Sequence, residues 1–540
     1  WLHSDRDQVA SALNLPEDLV RVTLAGVGGA FGGREDVSMH VHLCMLALHT
    51  GRPVKMVYDR NESFLGHVHR HPAKIWFSHS ADDSGVLVKV EAKVILDGGA
   101  YASTTSAVLA NACCFSVGPY RVPNALIEGW GVRTNNPPCG AMRGFGNVQT
   151  CFAAEAQMDK LAKALSLDPV EFRLLNALET GDILITGQEI TGTAPVKEVL
   201  TSLAEYPLPE PTKGGLLDLP GGTGRTTDKS HVKRGVGYAA SIKNLMFSEG
   251  FDDFSEARCI VDDGEVLIKS ACVEVGQGFV TLVGQIVEET LGISDITILP
   301  VDTSIGSAGS TSASRQTWMS GGAVLKACEA VVDALLLDLS SENGVAYDKS
   351  GLNLVSKDGS HSIDISAALR GRNYDEHVTH RHKRTFPLDH NGQGNAHVSF
   401  AFAAHRAVVD VDEELGLVRV VEIATSQDVG RVLNPVQARG QIEGGIAQGL
   451  GLALLEDLVL DNGKIVNANF TDYLLPTSMD TPPIKIASLI EQSEPGAPFG
   501  AKGIGEPPVI SSTPAIIAAV RNATGKKLNR VPIKPEDLIF

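Results

Sequence analysis

The run Ala501-Lys502-Gly503-Ile504-Gly505-Glu506-Pro507-Pro508 sets one acidic side chain between glycines and two prolines. Glycines ahead of it let backbone approach a ligand closely, and the prolines fix φ just after it, so the loop aims the Glu506 carboxylate with little freedom. A general base is held in this way. Alone, the motif reads more readily as an ordinary exposed loop Glu between turn residues. Its meaning therefore depends on what else the chain carries.

The chain has 540 residues, 43% of them hydrophobic, with 55 glycines, enough to bury large cores in more than one lobe. Lys plus Arg total 46 against 64 Asp plus Glu, a formal charge of -18, which disfavours nucleic acid and anionic membranes as partners. No apolar run approaches the ~20 residues that cross a bilayer, and the start Trp1-Leu2-His3-Ser4-Asp5 lacks the pattern of a secretory signal. A cytoplasmic protein is expected. Trp1 is no ordinary initiator, so a piece of a longer chain is expected too. The eight cysteines (Cys44, Cys113, Cys114, Cys139, Cys151, Cys259, Cys272, Cys328) show no CxxC pair and no zinc or iron–sulfur spacing. They read as small buried hydrophobes, so any redox electrons must leave through a centre carried elsewhere.

Prolines 207, 209, 211 and 220 and the Gly-Gly pairs at 214–215 and 221–222 mark a linker over 206–233, between a first lobe at 1–205 and a second at 234–540. Helical spacing predicts helices over 36–49 and 148–167 in the first lobe and over 280–291, 321–339 and 514–524 in the second. A strand is expected over 86–96, and Asp263-Gly264 and Asn462-Gly463 read as turns between strands. The fold class expected is α+β, without a short internal repeat.

Several glycine loops introduce helices. Gly28-Gly29-Ala30-Phe31-Gly32-Gly33 leads to Glu35-Asp36, so backbone N–H groups and a positive helix end would face an anion in the loop; a close-packed glycine turn is the alternative. The loop lacks Walker and GxGxxG spacing. Gly276-Gln277-Gly278 and Gly440-Gln441 place a neutral amide at an expected helix start. Ser310-Thr311-Ser312-Ala313-Ser314 suits a phosphate cradle or a plain loop. In Cys139-Gly140-Ala141-Met142-Arg143-Gly144-Phe145-Gly146, Arg143 suits bidentate grip of an anion and Phe145 suits stacking on a flat substrate. His67, His69 and His71 would share one face of a strand, but with no acidic or thiol neighbour they are a weak metal signal; His377, His380 and His382 read as a solvated loop.

In this order the loops resemble those of the molybdopterin-binding large subunit of the xanthine oxidase family of molybdenum hydroxylases, across essentially the whole chain. Gly28 to Glu35, Arg143 to Gly146, Gly276 to Gly278, Gly440-Gln441 and Gly503 to Pro508 each match a family motif, with the phrasing nearest to bacterial xanthine dehydrogenases built from separate subunits. The resemblance implies two elongated lobes with a molybdenum–molybdopterin cofactor at their interface, the cytosine dinucleotide form being one option. It implies that the pterin dithiolene holds the metal, so no protein side chain need ligate it. Glu506 would be the general base, Phe31 and Gly32 would lie near the metal, and Arg143, Gln277, Gln441, Ser312 and Ala313 would hold the cofactor. Glu35, Asn111 and Phe145 would meet a purine-like substrate. Asn111 stands where xanthine-oxidising relatives carry arginine, which leaves open an aldehyde or another heteroaromatic such as nicotinate. Glu506 opposes a non-catalytic subunit. Iron–sulfur and FAD modules leave no trace, so the resemblance implies partner subunits in a hetero-oligomer, and a segment ahead of Trp1 that completes the site.

Overall fold

The structure, a computed structural model, describes residues 1–211, 215–225 and 227–539. The first part runs α1 (Leu2–Leu13), α2 (His40–Thr50), α3 (Arg60–Gly66), β1 (Ala73–Ala81), β2 (Leu87–Gly99), α4 (Thr105–Cys114), β3 (Ala125–Arg133), α5 (Asn147–Leu165), α6 (Pro169–Asn176) and α7 (Val196–Glu205). Then follow β4 (Val232–Leu245), β5 (Phe254–Asp262), β6 (Glu265–Lys269), α8 (Phe279–Leu291), β7 (Ile296–Ile298), α9 (Gln316–Asn343), β8 (Tyr347–Ser350), β9 (Asn353–Ser356), β10 (Ser362–Asp364), α10 (Ile365–Ala368) and β11 (Asn373–Arg381). The chain finishes with β12 (Ser399–Asp412), β13 (Leu417–Asp428), α11 (Pro435–Leu454), β14 (Leu460–Asp461), β15 (Lys464–Ile465), β16 (Ile484–Ile490), α12 (Pro507–Ile510), α13 (Ser512–Thr524) and α14 (Pro535–Ile539). The fold is α+β. Among the described residues no helix is long and apolar enough to cross a membrane.

Three sheets matter for the site. β1-β2-β3 is backed by α4 and α5; β11-β5-β6-β7 is covered by α8 and α9; and β16-β13-β12-β4 forms the central sheet. Every residue of β12 is buried: most are small or apolar, and the buried Arg406, Asp410 and Asp412 are paired with Glu422, Arg234 and Arg225. α13 lies on this sheet with Ser512 to Val520 all buried. Two glycines of β4 allow that approach: a Cβ on Gly237 would stand 2.1 Å from Ala519 N, and one on Gly235 2.1 Å from Ala519 O. Across the same contact Ser511 Oγ meets Ser241 Oγ at 3.0 Å and His405 Nδ1 at 2.8 Å. The junction between α12 and α13 is thereby pinned to β4 and β12. One hydrophobic core joins first-part residues such as Leu87 and Phe172 to Phe402 and Ala424 of the central sheet.

The helices expected over 148–167, 280–291, 321–339 and 514–524 form within a few residues of those bounds, and both expected turns link paired strands. Some expectations fail. The helix expected from residue 36 is α2 and starts at His40, because Asp36 instead accepts a hydrogen bond from Ser103 Oγ at 2.7 Å and 36–39 stay in bends. The histidines at 377 and 380 stand in strand β11, His380 being buried, and not in a solvated loop. Of the expected linker, 212–214 and 226, with Gly214 among them, lie outside the described residues; the rest carries short 3-10 turns, and β4 already begins at Val232.

Candidate active site

Glycine-rich turns from distant parts of the chain meet around one cavity of about 920 Å³. Its lining includes every residue that the family resemblance places at the site: Glu506; Glu35, Asn111 and Phe145; and Phe31, Gly32, Arg143, Gln277, Ser312, Ala313 and Gln441. Non-glycine residues with positive φ gather there too: Phe31 (53°), Phe145 (48°), Met246 (68°), Glu249 (60°), Ala313 (50°) and Ser314 (48°) all line it. Each costs on the order of 1–3 kcal/mol, and such strain persists where surrounding structure over-determines it, commonly at functional sites.

Glu506 stands at the N-cap position of the short α12 without a side-chain capping bond, and Pro507 at the first helical position suits φ and needs no N–H partner. Only 8% exposed, its side chain accepts from Gly144 N at 3.1 Å (Oε1) and from Ser314 Oγ at 3.3 Å (Oε2), while its own N–H donates to Ser314 Oγ at 3.0 Å. Gly503 must be glycine, since a Cβ there would stand 1.7 Å from Ser314 O. Lys502, at the base of the loop, is fully buried and donates to Asp428 Oδ2 at 2.7 Å and Thr193 O at 2.8 Å, with Glu494 at 3.5 Å. Burial pushes the Asp428 carboxyl up to about 6 even with Lys502 beside it.

Arg143 has its guanidinium committed within the protein. It donates to Gly505 O, to Gln448 Oε1 at 3.2 Å and to Gln441 O at 2.9 Å, so it braces the Glu506 loop against α11. Burial pulls it down to about 10. Arg70, also pulled by burial to about 10, donates to Arg143 O at 2.8 Å. Gly32 lies against Arg143's own turn: with φ +107° and a would-be Cβ 2.6 Å from Ala141 O, no side chain fits. Glu35 accepts from Ser310 Oγ at 3.0 Å, and burial pushes its carboxyl above the usual range. Ser312 Oγ donates to Ser310 Oγ at 2.8 Å, and Ala313 O accepts from Met246 N at 2.9 Å.

Gln277 precedes α8 as expected, but its amide is used within the protein: it accepts from Val275 N at 2.7 Å and donates to Val273 O at 3.1 Å and to Gln316 Oε1 at 2.5 Å. Gln441 is not at a helix start. α11 begins six residues earlier, where Asn434 caps Gln437 N at 3.1 Å and Pro435 opens the helix; the N-terminal amide facing the cavity is Gln437. The three histidines at 67, 69 and 71 turn to Ser63 O, Phe64 O and Thr105 Oγ1, each at 2.8 Å.

Sequence reasoning missed Lys243. It sits in β4 at 1% exposure and points into the cavity wall, 3.7 Å from Glu506 Oε2. Its signal was a lone lysine inside the apolar run 236–246. Gln448 was missed as well, since it stands in no pattern that distinguishes it from its neighbours, and Ser314 was read as part of a hydroxyl-rich loop and not as a partner of Glu506.

The N-terminal turns of α8, α9 and α11 all line the cavity, and neither Gly278 nor Arg315, the residues preceding α8 and α9, caps its helix with a side chain. At α8 the Glu274 carboxylate accepts from Gly276, Gly278 and Val280 N, and Asn434 caps α11, so it is the uncapped α9 end whose N–H groups and positive dipole suit a phosphate-bearing cofactor, in a cradle where glycines 28, 29, 32, 276 and 278 keep side chains out of the way.

Two stretches, 1–177 and 222–482, each match the profile of a molybdopterin cofactor-binding domain. At 32% identity the chain is similar to a probable xanthine dehydrogenase subunit of Bacillus subtilis, over 99% of this chain and 71% of that protein. A shorter match, 42% identical over 203 residues, covers 38% of this chain and 48% of the nicotinate dehydrogenase large molybdopterin subunit of Eubacterium barkeri. The aldehyde oxidoreductase structure from Desulfovibrio gigas superposes with a TM-score of 0.83 at 27% identity, over 100% of this chain and 56% of that one. Fold, cavity and relatives together define a molybdopterin-binding oxidoreductase. The chain belongs to the xanthine oxidase family of molybdenum hydroxylases and corresponds to its molybdopterin-binding large subunit.

Proposed function

We propose that this chain carries the active site of a hydroxylase that oxidises a purine-like N-heterocycle, with water as the oxygen source. The overall change is C–H plus water to C–OH, two protons and two electrons. Glu506 serves as the base that removes a proton from the attacking water. A single observation supports this most: a buried carboxylate, fixed by Gly144 N and Ser314, at the wall of the cavity that the other motif residues share. When bound, the molybdenum cofactor supplies the oxygen-transfer and electron-accepting chemistry. Phe31, Gly32, Gln277, Ser312, Ala313 and Gln441 line its cradle, and Arg143 braces the base loop from the same side. Glu35, desolvated and so favouring its protonated form, can donate to a ring nitrogen, with Asn111 offering its amide and Phe145 a stacking face. Electrons then pass to iron–sulfur and FAD partner subunits. The cofactor is placed between a lobe over 1–205 and one over 234–540, in its plain or its cytosine dinucleotide form.

A second reading, a heteroaromatic such as nicotinate, is favoured by Asn111 in place of an arginine and by the similarity to a nicotinate dehydrogenase subunit. Turnover of hypoxanthine and xanthine against nicotinate and benzaldehyde, with a dye acceptor, separates the readings. Purine turnover upholds the first; turnover of nicotinate alone replaces it by the second.

A further inference from the structure

β4 carries Lys243 into a place where a lysine is costly. Its side chain is 2% exposed, and removing an ammonium from water is penalised unless oxygens replace the water. Three do: Asn244 Oδ1 at 2.5 Å, Asn111 Oδ1 at 3.3 Å and Glu506 Oε2 at 3.7 Å. Two of the three N–H donors of the ammonium go to the amide oxygens, and Glu506 faces it as an ion pair beyond hydrogen-bond length. The two amides orient the cation without neutralising it, and its field falls on the Glu506 oxygen that Ser314 also contacts.

The other charges facing this pair are few. Arg143 and Arg70 act on Glu506 from the side of the α5-preceding turn, and His397 lies near Lys243 with both ring nitrogens unpartnered, held neutral by burial that pushes it down to about 3. Arg143 is spent on carbonyl and amide oxygens and Arg70 on the Arg143 carbonyl. Lys243 is the cation that forms an ion pair with Glu506 among the described residues.

We propose that Lys243 is a positioning residue for Glu506: its ammonium, held by Asn111 and Asn244, keeps the carboxylate ionised and turned toward Ser314. The inference rests on the reading of Glu506 as the base. Burial lowers the lysine's own proton affinity while Glu506 raises it, as a mutual pair requires.

The test is the pH profile of kcat/KM in the assembled, molybdenum-loaded enzyme carrying Lys243→Met. Loss of a cation at this distance should move the acid limb upward by about one to three pH units. Lys243→Arg should bring the limb back toward wild type. An infrared pH titration of the Glu506 carboxyl, with Glu506→Gln as the subtraction, should show the same upward displacement without turnover. An unmoved limb and band, or a loss of rate equal at every pH, overturns the proposal. If Lys243→Met does not fold, Asn244→Asp places a nearer carboxylate on the ammonium and should shift both readouts the same way; unmoved readouts there also overturn it. Activity surviving in Glu506→Gln would instead sink the base reading, while the infrared displacement would still decide the role of Lys243.

Discussion

Lys502→Met removes the buried cation that anchors the Glu506 loop. At 2.7 Å the gross attraction between Lys502 and Asp428 is about 6 kcal/mol at an effective dielectric near 20, which is a ceiling, because desolvation of both groups opposes it. Removing one partner of a buried pair typically costs about 3–5 kcal/mol, and that is the loss expected near pH 7. Glu494 keeps Thr193 N, Thr193 Oγ1 and Ser399 Oγ as donors, so the penalty falls mainly on Asp428. The pH dependence follows from the direction of its shift. Asp428 is raised from 3.8 to about 6 in the fold, so the folded protein binds more protons than the unfolded chain between those values. Its contribution is fully present at low pH and is lost as pH rises through the folded value. Without Lys502 the folded value climbs further, so the variant's penalty should be largest above about 6 and shrink toward about pH 5 as Asp428 takes a proton. Urea unfolding followed by tryptophan emission at both pH values gives the comparison. A midpoint unchanged near neutrality, or a penalty just as large in acid, would refute this account of the anchor.

Other consequences are more local. Glu35→Ala should raise KM for a purine-like substrate by roughly 5- to 150-fold, the equivalent of about 1–3 kcal/mol for a buried group left without its partner, with little change for benzaldehyde; steady-state kinetics on the two substrates decide it. Gly503→Ala should lower kcat while sparing molybdenum content, because a Cβ 1.7 Å from Ser314 O forces the base loop outward; activity near wild type would show that the loop yields without moving Glu506. Gly237→Val should loosen α13 from β4, where even a Cβ lies 2.1 Å from Ala519 N, and faster hydrogen exchange across 512–520 is the readout.

Much of the site is legible in the sequence because glycine and proline leave punctuation wherever backbone must pass close to something, as at Gly32, Gly144 and Gly503. Those turns are local, and their local chemistry survives reading in one dimension. What escaped is tertiary. Lys243 is an ordinary lysine until β4 pairs with β12 and α13 settles on its glycines, bringing the ammonium beside a residue 263 positions away. Arg143 was legible as a cation near the site, but the acceptors that use up its guanidinium come from 441, 448 and 505. One helix start failed because a better cap lay upstream: Asn434-Pro435 outcompetes Gly440-Gln441 at opening α11.

The central claim is that Glu506 is the base at the molybdenum site, and Glu506→Gln tests it most directly because the amide keeps the shape but cannot accept the proton. Turnover by the assembled enzyme should fall by at least about 100-fold, the lower range for a lost general base, with molybdenum content per chain unchanged. Turnover near wild type at full metal loading would contradict it.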